Sequence, residues 1–260
     1  MYKQILYILS LMGLFSFAAC TNEESPLFSE GTGEIRFSVV DTTEIEIATR
    51  ASYYFDVNKF NVSLSRGSEP IFSDKKYGDL VGKTFTYSAG PDYVLTAESC
   101  TEAEAESANQ GWGQARVSGK ESFAIVKDES KTVTVNCGVV NSSVSVKFSD
   151  YITSMFTTYS IELYATDATS RTFMFDKSNY TFKTAYFNVG ESGRKVAYTV
   201  SLPFFKNPYT GTLTLEPSKS YNLSVKVEGE GTNTTVTLGI TVDGTLLEEK
   251  ILTKKINPYM

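Results

Sequence analysis

The chain has 260 residues, with 24 Lys and Arg against 30 Asp and Glu, three cysteines and no histidine. The missing histidine excludes Ser-His-Asp and Cys-His catalysis, His-ligated zinc and an imidazole base. The acidic balance argues against nucleic acid, whose binding rests on basic contacts to phosphate. No Gly-rich phosphate loop is present and no acid pair stands out by spacing, so a non-catalytic protein without cofactor or metal is expected.

The predicted elements begin with Lys3 and an apolar run from Ile5 to Ala19. That run has signal-peptide length and is short for a bilayer span. Phe17-Ala18-Ala19-Cys20 follows and resembles the lipobox of bacterial lipoproteins, with Phe where Leu is commoner. The resemblance implies acylation of Cys20 as the first mature residue; the alternative is an ordinary secretory signal cut nearby. Residues 1–19 are thus read as a signal peptide and 20–32 as a flexible tether poor in large apolar residues. Thr21-Asn22-Glu23-Glu24-Ser25 resembles the signal that accompanies outward display on the outer membrane of Bacteroides-like bacteria, although a solvated tether would look the same. The mature chain would carry 23 basic and 30 acidic side chains, so its membrane attachment would be lipid and not electrostatic.

From residue 33 onward, apolar and polar residues alternate. Ile35, Phe37 and Val39 open the series, followed by Phe60, Val62 and Leu64. Ala89-Gly90-Pro91-Asp92 and similar turn clusters separate the runs. Thr101 to Glu106 holds helix formers that repel one another and reads as a loop or a single turn. Trp112, between Gly111 and Gly113, is a candidate aromatic platform for a glycan or, alternatively, a lid on a sandwich edge. Cys100 and Cys137 are a candidate disulfide in an oxidising compartment, or two separately buried thiols.

A break near Val135 to Ser143 divides the mature chain into 33–138 and 139–260. The second part continues the pattern through Val144 to Phe148, a turn of helix capped by Asp150, Ile161 and Leu163, Val196 to Val200, and Leu223 to Val227. Asn-x-Ser/Thr patterns start at Asn61, Asn141, Asn179, Asn222 and Asn233 and are read as compositional. The tail from Leu246 to Tyr259 has apolar doublets, Leu246-Leu247 and Ile251-Leu252, that interrupt period two. Short strands of this kind with frequent turns predict an all-β chain of antiparallel sandwiches or barrels. The two parts have similar texture without an exact repeat.

Gly33 to Val39, Ala48-Thr49-Arg50-Ala51 and Phe60 to Leu64 resemble the opening of fimbrillin-like (Mfa-like) surface lipoproteins of Bacteroides-type bacteria. They are most similar to one family of unknown function among these. Asp92 to Ser99 resembles its Y-x-L-x-A strand. Thr132 to Cys137 with Ser143 to Phe148 resembles its V-x-V-x-C and V-x-V-x-F passage. The resemblance implies two tandem transthyretin-like (Ig-like) β-sandwiches and a cell-adhesion or pilin-related role. It also implies maturation by cleavage between Arg50 and Ala51, with loss of the first strand and its replacement by a strand of another subunit. Pilin subunits or surface ligands would be the partners. The candidate donor is Leu246 to Tyr259, which reads equally as the last strands of its own sandwich. A glycan-binding lipoprotein of a polysaccharide-uptake system is the competing function.

Overall fold

The computed structural model describes residues 30–43, 55–203, 205–228 and 235–253. The chain is all-β. Seven strands build the first sandwich: β1 (Thr32–Asp41), β2 (Asn61–Arg66), β3 (Glu69–Lys76), β4 (Phe85–Ser88), β5 (Gly90–Glu98), β6 (Val117–Ile125) and β7 (Ser130–Val139). Their order is β3-β2-β5-β6-β7-β1-β4. β6 and β7 pair in register at just two described positions, Val117 with Val139 and Ser118 with Gly138. The order therefore folds at that corner into two layers, β3-β2-β5-β6 and β7-β1-β4.

The second sandwich holds β8 (Ser142–Phe148), β9 (Ser160–Ala165), β10 (Ala168–Asp176), β11 (Ala185–Phe187), β12 (Arg194–Ser201), β13 (Tyr209–Leu215), β14 (Ser220–Glu228), β15 (Thr235–Val242) and β16 (Thr245–Thr253). Its sheets run β10-β9-β12-β13 and β11-β8-β14-β15-β16. Shifted by seven strands, the first sandwich's layers recur in the same order. The terminal hairpin β15–β16 is the addition. The two parts, which share only similar texture in the sequence, thus share one topology.

Each sandwich has its own core. One gathers Ile35, Phe37, Val62, Leu95, Ile125 and Val135, among others; the second gathers Val146, Ile161, Phe175, Tyr198, Leu223 and Leu238. Period-two alternation produces this directly, because β1 shows buried residues at every other position. The sheets are antiparallel apart from one pair in each sandwich. β1 runs parallel to β7 over eight register pairs, and β8 runs parallel to β14 over six. Alternation reports which face is buried and carries no information on strand direction, so the sequence pattern does not reveal these pairs.

The short helices differ from expectation. Glu102–Ser107 forms a helix, here α2, the four-residue Tyr77–Leu80 being α1. Thr101 caps α2 with a complete capping box to Glu104. The expected repulsion is relieved by arginines distant in sequence: Glu102 lies 3.4 Å from Arg116, and Glu106 lies 3.4 Å from Arg171 and 3.3 Å from Arg194. In α3 (Asp150–Met155) the cap position falls on Ser149, and Asp150 is the first helical residue, where its charge suits the helix N-terminus.

Candidate functional site

Three features position the chain's functional groups: β1, the loop between β5 and β6, and a groove at the far end of the second sandwich.

β1 is a central strand. It pairs with β7 on one side and with β4 on the other, over Thr32 to Ile35. Among the described strands, β4 has β1 as its only sheet neighbour. Ile35, Phe37 and Val39 are 1 %, 4 % and 6 % exposed, and Phe37 stacks on Phe85 with ring centroids 5.2 Å apart. Losing β1 would leave a slot between β7 and β4. Residues 1–29, which include Cys20, and residues 44–54, which include Arg50 and Ala51, lie outside the described residues.

The β5–β6 loop of the first sandwich reaches into the second. Asn109, Gln110, Gly111 and Gly113 all have positive φ, between 52° and 87°, which turns Trp112 outward from its own sandwich. Its ring sits 5.4 Å from Phe173 and 4.9 Å from Phe175, with the Lys183 ammonium 5.3 Å above it. Around the ring, Tyr186 N–H donates to Trp112 O, Arg171 Nε to Gly111 O and Asn188 Nδ2 to Glu102 O. Glu106 is bracketed by Arg171 and Arg194, and burial draws the Arg171 guanidinium below its ordinary pKa, against the pull of Glu106. Trp112 is half-buried and packs against the second core. Asn141, read in the sequence only as part of a compositional pattern, is 2 % exposed. It accepts from Arg116 N–H and donates to Gln114 O, fixing the short link between β7 and β8.

Cys100 and Cys137 are both free and buried, which corrects the expected disulfide. Their environments are separate. Cys137 Sγ faces the first core and donates to Ala97 O, while Cys100 follows β5 and accepts from Gln114 Nε2 and Ser99 Oγ. Burial pushes the Cys137 thiol up to about 11.

The tail strand β16 pairs antiparallel with β15 of its own sandwich, so the alternative reading of residues 245–253 holds; residues 254–260 lie outside the described residues. Two register shifts explain the apolar doublets, with Leu247 and Leu252 as the extra residues. Leu246, Leu247 and Ile251 are exposed, and Lys250 turns over the buried Tyr198 ring at 5.5 Å. Bulges and an inward lysine are devices that discourage strand addition at an edge.

The groove, of about 670 Å³, was missed by sequence reasoning. Asp176, Ser160 and Ser201 stand in one row across β10, β9 and β12. Thr157, Thr158 and Ser178 extend the polar rim, and Met174, Leu202 and Pro203 supply apolar surface. Tyr159 borders the groove but is only 5 % exposed, its ring packed on Phe148 at 4.7 Å. Among the described residues there is no group of three metal-ligating side chains, and no helix is long and apolar enough to cross a membrane.

Residues 31–258 match a family described as a domain of unknown function (DUF4493). The chain belongs to this family. No curated protein matches it. Among solved structures it is similar to the fimbrial anchor protein Mfa2 from Porphyromonas gingivalis, at 11% identity and a TM-score of 0.46, covering 85% of this chain and 100% of that one. It is also similar to a candidate cell adhesion protein from Bacteroides eggerthii, at 12% identity and a TM-score of 0.41, covering 84% and 97%. A third likeness is to candidate polysaccharide binding proteins from Bacteroides thetaiotaomicron, at 12% identity and a TM-score of 0.41, covering 84% and 98%.

Proposed function

We propose that this DUF4493 member is a non-catalytic cell-surface lipoprotein, held in the outer membrane through Cys20 and facing the exterior, that serves as an adhesive or fimbrial subunit. Cleavage between Arg50 and Ala51 releases the anchor together with β1, and a strand from a partner subunit takes its place. The observation that carries this reading is the central position of β1, the described strand nearest the anchor and the one that precedes Arg50. Its three large apolar side chains are each worth about 1.5–3 kcal/mol when buried. Vacating the slot bares those contacts and two rows of unpaired N–H and C=O groups, which template strand addition. The donor is a partner's tail. β16 is committed to β15 in the subunit itself, so it must detach or contribute only residues beyond it. Limited trypsin digestion of the purified ectodomain tests this. Cutting at Arg50 should convert a monomer into higher oligomers on a sizing column; a cut protein that stays monomeric with β1 still bound overturns it.

A second reading is a surface glycan-binding protein of a polysaccharide-uptake system. It is favoured by the polar groove at the end of the second sandwich.

A further inference from the structure

We infer that the groove on the outer face of the β10-β9-β12 sheet binds a neutral oligosaccharide. The inference rests on the second reading above and gives it a place on the molecule.

Ile161 and Leu163 point into the second core, so Ser160, next to them on β9, points the opposite way, to solvent. Register sets Asp176 and Ser201 directly beside it on the flanking strands. Neighbouring strands lie about 4.8 Å apart, so the three polar groups span about 10 Å, longer than one pyranose ring and suited to adjoining units of an oligosaccharide. The Ser160, Ser201, Thr157 and Thr158 hydroxyls make no hydrogen bond to any described residue, although each can both donate and accept. Asp176 uses one oxygen, Oδ1, to hold the N–H and hydroxyl of Ser178, and its Oδ2 stays available as an acceptor. Met174, 44 % exposed, together with Pro203 offers an apolar surface for the C–H face of a sugar.

Ligand class follows from charge and shape. The lining holds one acid, Asp176, and one base, Lys177, and is otherwise uncharged. A carboxylated or sulfated glycan would meet no excess of positive charge there, while a neutral sugar brings no charge that the lining must balance. The volume lies within the usual range for small-ligand sites. The groove is also open, so it suits a stretch within a chain of sugars as well as its end. On β10 the groove uses Asp176, on the face opposite Phe175, where Trp112 packs.

The test is an array of neutral oligosaccharides built from glucose, mannose, galactose and N-acetylglucosamine, with sialylated and sulfated glycans alongside. It is probed with the intact mature chain carrying Ser at position 20 in place of the acylated cysteine. Calorimetry on the best hit then compares Asp176→Asn and Ser201→Arg. Each should weaken binding by about tenfold or more, as expected for losing a hydrogen bond to a charged group or blocking the row, with unchanged thermal melting. Should either variant fold poorly, Thr158→Arg on the exposed rim should do the same. Binding that survives all of these variants overturns the groove and leaves the glycan-binding reading standing. An array with no neutral hits, or with acidic hits only, overturns the groove's ligand class, and an entirely blank array removes the second reading too.

Discussion

Replacing Trp112 by Ala tests whether the β5–β6 loop is a structural latch. Trp112 belongs to the first sandwich by connection and to the second core by packing, where it covers Phe173 and Phe175. Truncating a buried Trp costs about 3–5 kcal/mol. Trp112 is half-buried, so the lower end of that range is expected. The loss should fall on the second sandwich, because none of its aromatic partners lies in the first. For a unit of about 100 residues, 3 kcal/mol lowers the melting temperature by at least about 12 °C. Urea unfolding followed by far-UV circular dichroism is the assay, since Trp112 is the chain's only tryptophan. The wild-type indole serves as the control, with blue-shifted emission that moves red on unfolding. A variant less than 1 kcal/mol below wild type would refute the latch and return Trp112 to the list of ligand contacts.

Further outcomes follow from the same contacts. Gly113→Ala should cost about 1–2 kcal/mol for its positive φ, plus the clash of a Cβ that would lie 2.8 Å from Arg171 Nη2 and 2.9 Å from Tyr186 Cβ, read as a lowered urea midpoint. Glu106→Gln should loosen the latch, because Arg171 and Arg194 then face each other without their shared carboxylate; small-angle scattering should show a longer, more variable particle. The raised pKa of Cys137 gives alkaline sensitivity. Its unfolded thiol ionises near 9 and its folded thiol near 11, so its contribution is intact below pH 9 and is lost as pH rises towards 11. Cys137→Ala should flatten the stability profile over that window, and Cys137 should resist alkylation at pH 8 until the chain unfolds.

Much of the fold was legible because period-two burial is a local property. Ile35-Phe37-Val39 and Phe60-Val62-Leu64 declare their buried faces without reference to any partner. The pairing of β1 with β7 was not legible, since it joins residues about a hundred positions apart and leaves no trace in alternation. α2 shows the same limit: Thr101 and Glu104 spell a capping box, yet the charges that looked repulsive are neutralised by Arg116, Arg171 and Arg194. Cys100 and Cys137 had spacing that allowed a bridge, but their side chains serve different environments. The doublets in β16 blurred its period because bulges insert one residue each. Hardest to foresee was the groove. Its row of Asp176, Ser160 and Ser201 comes from three strands, so no window of sequence contains it.

The most direct measurement is the N-terminus of the protein isolated from its native cells, read by mass spectrometry. The strand-replacement account predicts a mature population that begins at Ala51. Protein that begins entirely at an acylated Cys20 would keep β1 in place and contradict it.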